Sequence, residues 1–227
     1  MFLFIVIIAI VAYVLWKRNH YNDSDWVKER IKGRSEEQKA VIRYFGNSPS
    51  CLSKSPISDE EYDAMLLAEL ERNNSKEKAL DRIGLDEDQV KEIDPVHFGG
   101  FLFDKDSLSK QGKDGKYRSS KYQITWLFFS SSQVFLYQNT FNMDEDGRME
   151  TVEEYFYKDI TNFSASNDIV ETSFYDEGSK MYQKKNIQRN RFALVVPGDK
   201  FYCSMEQNDY TENAIRGMRA MLREKKG

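Results

Sequence analysis

Tyr122-Gln123-Ile124-Thr125-Trp126-Leu127-Phe128-Phe129 is the stretch on which the fold turns. Tyr122, Ile124, Trp126 and Phe128 alternate with Gln123, Thr125, Leu127 and Phe129, and successive side chains of a strand point to opposite faces, so the spacing predicts a strand with one ring-rich face. Ser130 to Ser132 turn the chain into a second strand over 133–141. Before it, 96–103 has the same period, followed by a turn-rich insertion containing Gly112-Lys113-Asp114-Gly115. After it, Asp144 to Gly147 reverses the chain into 149–157, and 160–166 and 169–175 continue the meander. Residues 192–196 and 200–205 flank Pro197-Gly198-Asp199, a compact hairpin turn. The count expected is seven or eight strands.

The chain closes on a helix introduced by Asp209 and Glu212 as a capping box, with Ala214, Ile215, Met218, Met221 and Leu222 on one face and Arg216, Arg219 and Arg223 on the other. Its apolar face is expected to cover the sheet. Upstream of the strands the period is helical. Trp26, Val27 and Ile31 share a side, Gly33 breaks the run, Ser35 and Gln38 form a capping box, and Ser58 with Glu61 opens a helix carrying Tyr62, Met65, Leu66 and Leu70. A short helix follows to Ile83 and Gly84. Residues 46–56, rich in Ser and Pro, read as a linker.

Phe2 to Trp16 are apolar, free of charge, Pro and Gly, and closed by Lys17 and Arg18. At about 1.5 Å per residue they span roughly 22 Å, short of the ~30 Å hydrocarbon core, a gap that snorkelling cations and an interfacial Trp16 and Tyr13 can bridge. A cleavable signal peptide and a buried core helix are the rival readings; no basic region precedes Phe2, and Ala12 to Trp16 carries no small-residue cleavage site. The expectation is a transmembrane anchor over 1–18. Lys17, Arg18, Lys28, Arg30, Lys32 and Arg34 all follow it, so the remainder is expected on the cytoplasmic side of a cell membrane, as a single-pass protein.

The expected fold class is therefore α+β: a transmembrane helix, a helical region over 19–94, and over 95–227 an antiparallel β barrel or sandwich capped by the C-terminal helix. A run of antiparallel strands followed by one amphipathic helix resembles the pleckstrin-homology-like (PH-like) fold, as found in bacterial membrane-anchored proteins. Tyr157-Lys158-Asp159-Ile160-Thr161 looks like the beginning of a strand common in bacterial members. The resemblance runs from Val96 to Gly227 and implies a non-catalytic recognition or scaffolding domain. No ligand motif carries over, because the Lys and Arg pattern with which some members hold inositol phosphates is not evident between the first strands.

Two local patterns could carry chemistry. Asn142, Asp144, Asp146, Gly147 and Glu153 fall in register with a calcium loop, with Asn in place of the first Asp. Their flanks read as strands, so an Asp-rich hairpin tip explains the same residues. Lys180, Lys184, Lys185, Arg189 and Arg191 form a basic run expected in a loop, either solvated or a contact patch for an anionic surface or an acidic partner. The chain has 37 acidic and 33 basic residues, a net charge of -4, which argues against nucleic acid. His20 and His97 are too few for a metal triad. Cys51 and Cys203 form no C-x-x-C pattern, and there is no Gly-rich phosphate loop, G-x-S-x-G or H-E-x-x-H. No cofactor is expected. The reading is a binding or scaffolding protein with a protein partner, not an enzyme; the alternatives are a calcium-responsive switch at 142–153 and an enzyme of unrecognised type.

Overall fold

The structure, a computed structural model, describes residues 23–46, 57–90, 92–176 and 181–226. Its helices start where side chains can satisfy the orphan N–H groups of a first turn. The Ser24 hydroxyl accepts from Val27 N–H at the head of α1 (Asp25–Arg30). Ahead of α2 (Glu36–Gly46), Gln38 N–H donates to Ser35 Oγ at 3.2 Å while Ser35 N–H donates to Gln38 Oε1 at 3.0 Å. Ser58 and Glu61 make the same reciprocal cap on α3 (Asp59–Asn73). Each such cap stabilises its helix by about 1 kcal/mol. α4 (Ser75–Ile83) ends at Gly84. The C-terminal helix α5 (Asp209–Lys226) is capped differently from the sequence expectation. Thr211 N–H donates to Asn208 Oδ1 at 3.0 Å and Asn208 N–H to Thr211 Oγ1 at 3.1 Å, so the cap is Asn208 with Thr211, not Asp209 with Glu212.

The strands are β1 (Val96–Leu102), β2 (Ser109–Gln111), β3 (Tyr117–Ser119), β4 (Lys121–Phe129), β5 (Gln133–Asn142), β6 (Arg148–Phe156), β7 (Asn162–Asp176), β8 (Met181–Val196) and β9 (Asp199–Ser204). They form three separate antiparallel sheets, ordered β1-β4-β5-β6, β2-β3 and β7-β8-β9. One face of the four-stranded sheet carries Phe98, Leu127, Phe129, Val134 and Leu136. It shares a core with Phe163, Phe192 and Leu194 of the three-stranded sheet and with Ile215, Met218, Met221 and Leu222 of α5. The opposite face packs Phe128, Phe135 and Tyr137 against Ala79, Leu80 and Ile83 of α4, and Tyr122 and Phe141 against Leu66 and Leu70 of α3. The helical region is thus the outer layer of the sheet, and both faces of β4 and β5 are buried.

Three expectations are corrected. No sheet closes into a barrel: the turn after Phe156 carries the chain across to β7, leaving β6 hydrogen-bonded to β5 alone. At the other edge, β1 lies against the chain just past β9, where Glu206 N–H donates to Gly99 O at 3.0 Å. A Cβ on Gly100 would lie 3.1 Å from Ser204 Cβ and 3.2 Å from Met205 N, so glycine there permits the close approach of the two sheets. Second, 160–166 and 169–175 are one strand, and the expected basic loop is its partner β8. Third, among the described residues no helix is long and apolar enough to cross a membrane. The 18-residue α5 has the length but carries charges along its outer face. The anchor expected over 1–18 lies outside the described residues, and the single-pass, cell-membrane placement has no structural basis.

A buried polar network pins the small β2-β3 hairpin to α3. Arg118 forms two-pronged contacts with Asp63, both at 2.7 Å, and with Asp114 at 3.0 and 2.9 Å. Asp59 accepts from Tyr44 Oη and Lys113 N–H, each at 2.7 Å, and Tyr44 stacks on Tyr62 at 4.8 Å. Burial pushes the Asp59 carboxyl up, but Tyr44, the Lys113 N–H and Arg118 outweigh it and hold the group below the ordinary carboxylate range. Arg118 brings Asp114 down to about 2. Both carboxylates bind protons less readily in the folded chain than in the unfolded one. Their stabilising contribution is therefore complete above the unfolded value of about 4 and is lost as pH falls toward about 2. Urea midpoints should hold near neutrality and drop across that acid window, with Asp114→Asn flattening the drop; midpoints unchanged between pH 4 and 2 would contradict the linkage.

Candidate functional site

The calcium-like pattern sits at the tip of the β5-β6 hairpin, and its carboxylates are turned toward the helices. Asp144 is buried and accepts from Arg30 Nη2 at 2.9 Å and Nε at 3.3 Å. Glu145 pairs with Arg34 at 2.9 Å, Asp146 accepts from Gln38 Nε2 at 2.8 Å, and Asn142 N–H donates to Gly147 O at 3.3 Å. Glu153 stands on β6 five residues beyond Arg148, roughly 16 Å along the strand, too far to complete a shell around the tip. Among the described residues no three His, Cys, Asp or Glu side chains converge where a metal could sit. The tip is a clasp that fastens the hairpin to α1 and α2.

The basic run is divided by the pleat of β8. Lys184 faces away from Lys185, Arg189 and Arg191, because alternate strand residues occupy opposite faces. Lys184 pairs with Glu171 at 2.6 Å, and Arg189 and Arg191 share Asp168 at 2.7 and 2.9 Å. Lys185 lies over the Phe174 ring at 5.9 Å, and Lys180 lies outside the described residues. Two carboxylates on β7 thus hold three of the four described cations of what the sequence presents as a contiguous patch.

The open edge of β6 presents a different surface. Its ladder with β5 runs without a bulge from Gln133↔Phe156 to Phe141↔Arg148. Gly147 O accepts from Asn142 N–H and Tyr157 N–H donates to Ser132 O, so the odd-numbered residues bond inward to β5. The backbone groups of Arg148, Glu150, Val152, Glu154 and Phe156 therefore point away from the sheet. Met149, Val152 and Phe156 are 60%, 38% and 48% exposed, apolar side chains on an edge that pairs with no further strand among the described residues, although Phe156 O already accepts from Asp159 and Ile160 N–H at 2.9 and 3.3 Å. The edge starts at a cleft of about 440 Å³ that Gly147 and Arg148 help to line. Glu37, Glu69, Glu145 and Asp146 supply four carboxylates around it against Arg72 and Arg148, over Met65 and Met143.

No family model matches the chain, and neither does any curated protein or solved structure.

The described histidine and cysteine both pack against neighbouring elements. His97 lies tilted against Trp126 at 4.7 Å, its Nδ1 lies 3.2 Å from Tyr210 Oη, and partial desolvation by these neighbours lowers its pKa. Cys203 is buried in the core shared by the sheets, and burial raises its thiol to about 12. Cys51 and His20 lie outside the described residues. Periodicity could place β6 but not its openness, since an edge is defined by which strand fails to lie beside it.

Proposed function

We propose that this chain is a non-catalytic binding or scaffolding protein, and that its protein partner adds an extended segment to the open edge of β6. The observation that carries this reading is the row of outward backbone groups at Arg148, Glu150, Val152 and Glu154, beside exposed apolar side chains. Strand addition draws its affinity from such backbone groups and its selectivity from alternate side chains. Glu153 and Glu154 on the strand, with Glu37 and Asp146 at the adjoining cleft, favour a segment in which Lys or Arg alternates with apolar residues. The resemblance to PH-like domains belongs to the same proposal, since it too implies recognition without catalysis.

Proline distinguishes edge pairing from simple surface contact. Val152→Pro removes an N–H that points outward and leaves the ladder to β5 intact, whereas Thr151→Pro removes an N–H the ladder uses. A synthetic peptide of alternating Lys and Val is the probe, with amide exchange as the readout. Protection should appear at Glu150, Val152 and Glu154, and should vanish in Val152→Pro while the variant keeps the parent's stability. Binding of the peptide without protection at those three amides would refute strand addition.

A further inference from the structure

A second surface of opposite charge lies on the far end of the C-terminal helix. Arg219, Arg223 and Lys226 fall at i, i+4 and i+7, one stripe of α5, and with Leu222 and the exposed Thr161 and Asn162 at the head of β7 they line a groove of about 560 Å³. None of the six lining residues is acidic. Among the described residues, Arg223 and Lys226 have no carboxylate partner. Nearby cations do have carboxylate partners: Lys225, the neighbour of Lys226, reaches Glu92 at 2.5 Å, and Arg189 and Arg191 hold Asp168.

The helix C-terminus favours positive charge, and that effect accounts for Arg223 and Lys226 taken singly. It does not account for Arg219, whose Nε–H donates to Phe163 O at 2.6 Å across on β7. That bond fixes the guanidinium plane and leaves both terminal nitrogens for another acceptor. An anchored guanidinium, two further cations and the Thr161 and Asn162 side chains then border one concavity. Three like charges around one concavity repel one another, and an anion seated between them would relieve that repulsion.

We infer that this groove is an anion site for a small phosphorylated molecule. A phosphate group carries close to two negative charges and three acceptor oxygens, and matches the fork of an arginine in a way a single carboxylate does not. The volume suits a small ligand, and Leu222 offers an apolar wall for its non-phosphate part. The site is independent of the β6 edge, so either can fail alone.

Pyrophosphate titrated into the full chain tests it, followed by NMR at constant ionic strength with chloride as the control. Saturable shifts should centre on Thr161, Asn162, Arg219 and Arg223. Arg223→Ala and Lys226→Ala, at exposed positions that leave the fold alone, should each weaken binding roughly tenfold, and together abolish it. Shifts shared equally with Lys184 and Lys185 on β8, or affinity unchanged in the double variant, would overturn the assignment. So would a response that chloride reproduces.

Discussion

Replacing Asp63 and Asp114 together by alanine should cost the fold about 3–5 kcal/mol, because the double variant takes from the buried Arg118 guanidinium both carboxylates that hydrogen-bond it and leaves Asp59 as the neighbouring negative charge. The Arg118 side chain is 3% exposed, whereas those of Asp63 and Asp114 are 44% and 36% exposed. That asymmetry sets the order of effects. Arg118→Met frees two carboxylates that can return to water, so its cost should be nearer about 1–2 kcal/mol. Gly112→Ala tests the same network from the backbone: a Cβ there would lie 2.7 Å from Asp114 Oδ1 and Asp59 Oδ2 and would overlap Arg118 Nη1. Chemical denaturation reads all three. If Arg118→Met were as damaging as the double variant, the guanidinium would not be the buried charge that governs this hairpin.

Phe192→Ala should cost a comparable amount, about 3–5 kcal/mol, by opening a cavity where the sheets meet. Phe192 on β8 is fully buried, its ring 4.6 Å from that of Phe98 on β1 and 5.9 Å from that of Phe163 on β7. Its ring stacks directly between the three-stranded sheet and the four-stranded one. Phe192→Leu, which refills most of the space, should recover more than half of the loss. Denaturation midpoints with unchanged slope would locate the effect in native packing. A loss below about 1 kcal/mol for the alanine variant would mean that the two sheets do not depend on this contact.

What the sequence alone determined is what depends on neighbours a few residues apart. The caps at Ser35 and Ser58, the stop at Gly84, the alternation of 122–129 and the reversal at 144–147 are all local, and each is found where its spacing places it. The reading lost its hold wherever a long-range partner decides the outcome. β8 looks like a loop because Lys184, Lys185, Arg189 and Arg191 crowd it, yet Asp168 and Glu171 across the ladder make those charges compatible with a strand. Asp144 and Asp146 suit a cation by type and spacing, but Arg30 and Gln38, more than a hundred residues earlier, claim them instead. Only the tertiary structure decided that the sheets remain separate, that the helices cover one face of the larger sheet, and that β6 keeps an open edge. Those are statements about which surfaces meet, and no local spacing encodes them.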